Sequence, residues 1–296
     1  MIGLWRPAVV CRFPSKPKMR SSVFHARYFR SSLQLIPLLG LLAIAACGPT
    51  RVPLARTEER SDGLRYQLGK KAPLTGLLLV PRDSATGVSV TMPFAAGLRE
   101  GNAEGWHANG KRAFAETWKA GKREGPREEW DSAGHLARTE TFVDGQLEGL
   151  MKDFSPTGTV ILERPMHAGQ QAGLVKHWYP DGSRKSEAQY QGDRLQGTMT
   201  FWYPNGKKKY EGTFVAGKPD GVVREWWEDG TPKALTTWKV GIAEGPFTRW
   251  WANGQKKTEG IYRQSKAASS RSWSLEGKLI PRPPAEEGPA SPHAPG

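Results

Sequence analysis

Large apolar side chains return on two fixed schedules along this chain, with polar residues alternating between them. Trp106, Trp130, Phe154, Trp178, Trp202, Trp226 and Trp250 stand 24 residues apart. Phe94, Trp118, Phe142, Met166, Tyr190, Phe214, Trp238 and Tyr262 form a second column with the same step. The runs around these rings, such as 198–203 and 207–215, alternate aromatic or β-branched residues with polar ones. That period of two predicts half-buried β-strands.

Turn residues keep the same period. Gly110, Gly134, Gly158, Gly182, Gly206, Gly230 and Gly254 each follow a first-column aromatic by four positions. Asn109-Gly110, Asp181-Gly182, Asn205-Gly206, Asp229-Gly230 and Asn253-Gly254 are dipeptides that supply positive φ in a tight β-turn. A second glycine column (Gly101, Gly125, Gly149, Gly173, Gly197, Gly221 and Gly245) accompanies a second turn, read as Gly121-Lys122-Arg123-Glu124-Gly125 in one copy and Gly217-Lys218-Pro219-Asp220-Gly221 in another. Two strands and two turns make one module, and modules stack edge to edge. The fold class is all-β: an elongated single-sheet antiparallel β-meander solenoid of 24-residue hairpin repeats, about fourteen strands spanning roughly 65 to 70 Å. A two-residue loop and a three-residue loop with a bulge would send side chains to opposite faces, so faces stay unassigned. Glycine opposite a large ring would let rings pack over bare backbone, which makes the aromatic columns structural first.

Atypical copies flank the array, as caps do. Residues 76–97 read as a degenerate N-terminal cap repeat, 98–264 as seven repeats, and 265–280 as a degenerate C-terminal half repeat in which Trp273 and Gly277 keep the ring-to-glycine spacing. Residues 47–75 read as a charged tether. Residues 281–296 lack the apolar content to fold.

Composition narrows the class. Twelve Trp and 34 Gly in a chain that is 38% hydrophobic suit many short strands better than the thick aliphatic core of an α/β enzyme. The net charge of +14 would suggest a polyanionic partner. Residues 1–46 hold seven of the cations and no acid, so half of the excess lies in that segment and +7 remains for the rest. The two cysteines, Cys11 and Cys47, lie outside the repeats, so no disulfide or cysteine metal site holds the array.

The apolar run 33–46 follows basic residues and is too short for a comfortable membrane span of ~20 residues. It looks like a signal-peptide core, and Met19 before Arg20 offers an alternative start. The run ends Ile44-Ala45-Ala46-Cys47 and resembles a bacterial lipobox, which implies diacylglycerol on Cys47 and a mature chain beginning there. The other readings are a secretory signal cut near Ala46 or a retained anchor. Gly48 and Pro49, with no aspartate after the cysteine, favour the outer membrane by resemblance to enterobacterial lipoproteins. The expected location is therefore the cell envelope of a Gram-negative bacterium, lipid-anchored.

The unit Trp-Tyr-Pro-Asp/Asn-Gly-x-x-Lys, then Tyr or Phe, then Gly-x-x-x-Gly, resembles the bacterial variant of the MORN repeat (membrane occupation and recognition nexus) over about residues 76–264. The resemblance implies an association role with membrane or protein. Related bacterial proteins carry an antitoxin label, and a lipobox sits poorly with a cytoplasmic antitoxin.

No G-x-S-x-G elbow, phosphate loop, dinucleotide fingerprint or H-E-x-x-H is present, so no catalytic residue, cofactor or metal site is assigned. Carboxylates such as Glu128 and Glu225, read as one recurring repeat position, would serve a glycan-acting enzyme, whereas catalysis needs one distinctive pocket. His107 falls in the column of Tyr179, Tyr203, Trp227 and Trp251, a half-exposed strand position. Basic residues after the first turn (Lys111, Arg112, Arg184, Lys185, Lys207, Lys208, Lys209, Lys256 and Lys257) would align along one edge. Glu124, Glu148, Asp220 and Glu244 would make the other edge mixed. Solubility and edge protection explain such charges as well as an acidic partner does. The expected function is a membrane-tethered, non-catalytic scaffold for a protein or envelope polymer, with nucleic acid not expected and the oligomeric state open. A toxin-neutralising or immunity protein is the alternative, and a glycan-acting enzyme ranks below both.

Overall fold

The computed structural model describes residues 48–84, 86–281 and 289. The leader with Cys47, and all of the tail except Pro281 and Pro289, lie outside the described residues. Contacts divide the chain into two units, 1–47 and 48–296.

The second unit is one 22-stranded sheet plus a two-stranded hairpin. From Gly76–Val80 to Leu279–Ile280 the chain runs as an antiparallel meander, in which Leu98–Arg99, Gln146–Leu147 and Lys218–Pro219 are each the first part of the strand that follows. The sheet is open: Leu279–Ile280 ends it at one side, and Arg51–Pro53, parallel to Gly76–Val80, at the other. No α-helix occurs among the described residues.

The register follows from two different turns. After the first-column aromatic the chain reverses through a three-residue loop. In one copy Tyr203 N–H donates to Lys207 O at 2.9 Å and Gly206 N–H to Tyr203 O at 2.9 Å. Gly206 has φ +80 and the ladder shifts by one residue at Trp202. This is a turn closed by a glycine bulge, so the second of the two candidate loops is realised. The other reversal is a two-residue turn with both φ positive, Ala120 (φ 48) and Gly121 (φ 81) in one copy and Gly192 (φ 58) and Asp193 (φ 60) in another. Lys119 pairs with Lys122 directly across it. The segment 121–125 is therefore only partly a turn: Lys122–Trp130 is already strand, and Gly125 (φ 84) sits at a bulge within it.

That bulge glycine stands opposite the second aromatic column. Gly76 pairs with Phe94, Gly101 with Trp118, Gly125 with Phe142, Gly197 with Phe214, Gly221 with Trp238 and Gly245 with Tyr262. A ring next to bare backbone can lie down against its neighbours. Phe214, Trp238 and Tyr262 are accordingly 1, 5 and 0% exposed, and Tyr262 stacks on Phe247 with ring centroids 4.1 Å apart.

The ends depart from expectation in one respect. Part of the segment read as a tether is ordered: Arg51–Pro53 pairs with Gly76–Val80, Thr57–Glu59 pairs with Arg65–Gln67, and Val52 packs with Leu74, Leu78 and Phe94. The apolar side chains Val52, Leu54 and Leu74 cover the first hairpin, which a charge-based reading overlooks. At the other end Lys266–Trp273 continues the meander, and its missing residue is absorbed at the bulge, where Tyr262 pairs with Ala267 and Ile261 with Ser269.

Candidate binding surface

Alternation along the strands now assigns the two faces. One carries the second aromatic column and is the buried face. The other carries the first column, and all seven rings from Trp106 to Trp250, with Trp273 after them, are half-buried. Trp106 pairs with Arg112, Trp178 with Arg184, Trp202 with Lys208 and Trp250 with Lys256 across the glycine-bulge turn. Rings and basic or aliphatic side chains thus alternate along one margin of this face. The Arg112 guanidinium lies 5.7 Å from the Trp106 ring centre and 5.5 Å from that of Trp130, and a depression of about 490 Å³ opens between these two rings.

The nine basic residues expected on one edge divide among four settings. Lys111 and Lys207 donate to the carbonyls of Ala133 and Asp229 in the next turn. Arg112, Lys208 and Lys256 form ion pairs with Glu104 (2.9 Å), Glu211 and Glu259 (2.7 Å) on the ring-bearing face, which Arg184 also joins. Lys209 and Lys257 lie over the rings of Tyr203 (5.5 Å) and Trp251 (4.5 Å), and Lys185 is exposed.

The column that includes His107 joins successive repeats. His107 donates to the carbonyl of Trp130 (2.9 Å), Tyr179 to that of Trp202 (2.9 Å) and Trp251 to that of Trp273 (3.1 Å). Asn109 and Asn205 add bonds to the carbonyls of Ser132 and Glu228, while Asp181 and Asp229, which have no donor, accept from Ser183 and Thr231 within their own turns. On the opposite edge the acids are acceptors for backbone. Glu100, Glu124, Glu148, Asp220 and Glu244 accept the amides of Ala120, Asp144, Ala168, Val240 and Gln264 in the next two-residue turn. Gln196 does the same for Ala216. Those carboxylates are architectural.

The buried face of the early repeats holds a charged network that sequence reasoning missed. Glu116 and Glu140 both stand opposite Arg127 in the ladder, and their side chains are 5 and 8% exposed as residues. Glu116 accepts from Trp118 Nε1 (2.8 Å), Arg123 (2.9 Å) and Arg127 (3.0 Å), and Arg127 also reaches Glu140 (2.8 Å). Arg138 holds Asp153 through two bonds of 2.6 and 3.1 Å. Burial depresses the Arg127 pKa, but the bonds and charges of Glu140, Glu129 and Glu116 prevail and hold the guanidinium above its ordinary value. In later repeats the Arg127 column is filled by Met199, Val223 and Phe247.

Glu128 and Glu225 do not share a repeat position, being 97 residues apart, one more than four periods, and they fall on opposite faces: Glu128 pairs with Ala115 and Thr139, whereas Glu225 pairs with Tyr210 and Ala234. Burial, aided by the Glu225 charge, raises the Tyr210 phenol well above its ordinary value. Among the described residues no group of three His, Cys, Asp or Glu side chains converges as metal ligands would.

A family model described as MORN repeat variant matches residues 171–191 and 195–216. Each matched stretch is a strand, a glycine-bulge turn and a strand, and the break between them falls at the two-residue turn Gly192-Asp193. No curated protein matches the chain. Residues 171–216 thus match the MORN repeat variant, and the same turn and ring positions recur through residues 98–264.

Proposed function

We propose that this protein is a non-catalytic scaffold, held in the cell envelope through a lipid on Cys47, whose ring-bearing face takes up a protein or an envelope polymer. The observation that carries the reading is the division of labour between the two aromatic columns. Phe214, Trp238 and Tyr262 are spent on the core, whereas the row from Trp106 to Trp250 is left half-exposed on the other face. An exposed aromatic row rimmed by paired charges is the composition of a recognition surface. The leader ending Ile44-Ala45-Ala46-Cys47 supports attachment, since acyl chains anchor at about 0.8 kcal/mol per buried methylene.

Photo-cross-linking in cells tests the reading. A cross-linking residue at Thr198 or Arg224, exposed on the ring-bearing face, should capture a discrete partner, and one at Lys218 in the two-residue-turn edge should not. Equal capture from all three positions refutes the assignment of the face. Attachment predicts globomycin-sensitive acylation that disappears in Cys47→Ala.

A further inference from the structure

The step between the half-exposed rings is set by the sheet itself. Each repeat contributes two strands, so consecutive rings from Trp106 to Trp250 stand about 9.6 Å apart along the row. That is close to the length of one disaccharide in an extended β-1,4-linked glycan. Such a chain presents flat C–H faces at that interval, and pyranose rings stack on indole by the same apolar and dispersion contacts that pair aromatic rings.

The polar groups beside the row fit the same ligand. Arg112–Glu104 at 2.9 Å, Lys208–Glu211 and Lys256–Glu259 at 2.7 Å are part-exposed pairs flanking Trp106, Trp202 and Trp250. Each pair offers donors and acceptors side by side, complementary to hydroxyl and acetamido groups. Neighbouring carboxylates neutralise Arg112, Lys208 and Lys256, which lowers the complementarity of the face to a polyanion, although Arg184 and Arg224 on it have no ion pair among the described residues.

We propose that this face binds a single strand of β-1,4-linked glycan, laid across the β-strands with one disaccharide per repeat. The inference rests on the scaffold reading and names its polymer. Sheet twist sharpens it: neighbouring strands rotate by roughly 20–25°, so successive rings turn by roughly 40–50°. A separate, flexible glycan strand can follow that rotation, and a flat crystalline polysaccharide surface cannot.

The test is calorimetric titration of the full chain with chitin oligomers of increasing length. Affinity should climb from dimer to tetramer to hexamer, and crystalline chitin should not be retained. The double variant Trp202→Ala, Trp226→Ala should weaken hexamer binding roughly a hundred-fold, about ten-fold per ring. Trp202→Phe with Trp226→Phe should stay within a few-fold, which separates ring stacking from damage to the fold. Affinity independent of oligomer length, or tighter salt-sensitive binding of polyphosphate, overturns the proposal. No glycan binding together with a protein captured at Arg224 overturns it and leaves the scaffold reading standing; no glycan binding and no capture from the ring-bearing face overturns both.

Discussion

The phenolic hydroxyl of Tyr203 donates to the backbone carbonyl of Trp226 at 2.9 Å, joining one repeat to the next at the glycine-bulge turn. The contact recurs with a different donor in other copies, the imidazole of His107 and the indole of Trp251. The bond is not universal in this column, since Asp131 and Ser155 occupy it without a ring and the buried Trp227 indole N–H has no partner among the described residues. Tyr203→Phe keeps the ring and removes the donor, so it should cost about 0.5–1.5 kcal/mol in urea unfolding. The amides of Trp226 and its neighbours should exchange faster than those of distant repeats. An unchanged midpoint and unchanged exchange would show that the bond contributes nothing.

The carboxylates on the two-residue-turn edge are predicted to act as acceptors and not as charges. Glu244 accepts the amide of Gln264 at 2.8 Å, and Gln196 fills the equivalent place for Ala216. Glu244→Gln should leave stability within about 0.5 kcal/mol, whereas Glu244→Ala should lose about 1 kcal/mol. Equal losses in both variants, measured by denaturant midpoint, would point to the charge instead.

Gly260 marks the tightest approach of the late repeats. A Cβ there would lie 2.1 Å from the backbone oxygen of Ser269 and 2.9 Å from the Phe247 ring. Backbone cannot yield as a side-chain tip can, so Gly260→Ala should destabilise by about 2–3 kcal/mol and disturb the Phe247–Tyr262 stack. Gly254→Ala meets no atom within 4 Å and is strained only by its φ of +82. It should cost nearer 1 kcal/mol. A reversed order in thermal or urea unfolding contradicts this packing.

Removing Glu116 strands three donors: the Trp118 indole, Arg123 and Arg127. Glu116→Ala should cost about 3–5 kcal/mol, and the loss should shrink in the double variant with Arg127→Met, because breaking a buried ion pair is worse than replacing it with apolar groups. A double-mutant cycle with no coupling would remove the network from the account.

Two histidines should titrate on opposite sides of the ordinary value. Burial, then the charges of Arg164 and Lys185, lowers the His177 pKa. The unfolded chain therefore takes up that proton first, and stability falls as pH drops through the ordinary histidine range to the lowered value. The bond that His167 donates to the Glu148 carboxylate at 3.0 Å raises the His167 pKa. Its stabilisation is complete below the ordinary value and disappears as pH rises through the raised one. Glu148 is itself lowered, first by the Ala168 amide and then by His167, so its share is lost as pH falls through its lowered value. NMR titration should place His167 above His177, and the reverse order contradicts both environments.

The period, the strand class and the pairing of glycine with rings were legible because each repeats in one column of a 24-residue grid. Turn type was not: Ala120 and Val240 adopt φ 48 and 47, which no sequence preference announces, and the two-residue turn was read too far into the strand. The network around Arg127 was hidden for a similar reason. Glu116, Arg127 and Glu140 look like the polar half of an alternating strand until the bulges set which residues share a face. The ordered segment 51–59 escaped because two buried or half-buried apolar side chains, Val52 and Leu54, among many charges carry little periodic signal.

The central claim is that one open sheet of interchangeable modules presents a repeating face. Excising a single period, residues 197–220, joins Gln196 to Gly221 with ring and turn positions still in phase. Solution scattering from residues 48–281 with and without that period tests it most directly. The account predicts an unchanged cross-section, retained β circular dichroism and a long axis shorter by about 10 Å, the width of two strands. A compact particle, an unchanged length, or loss of the β signal would contradict it.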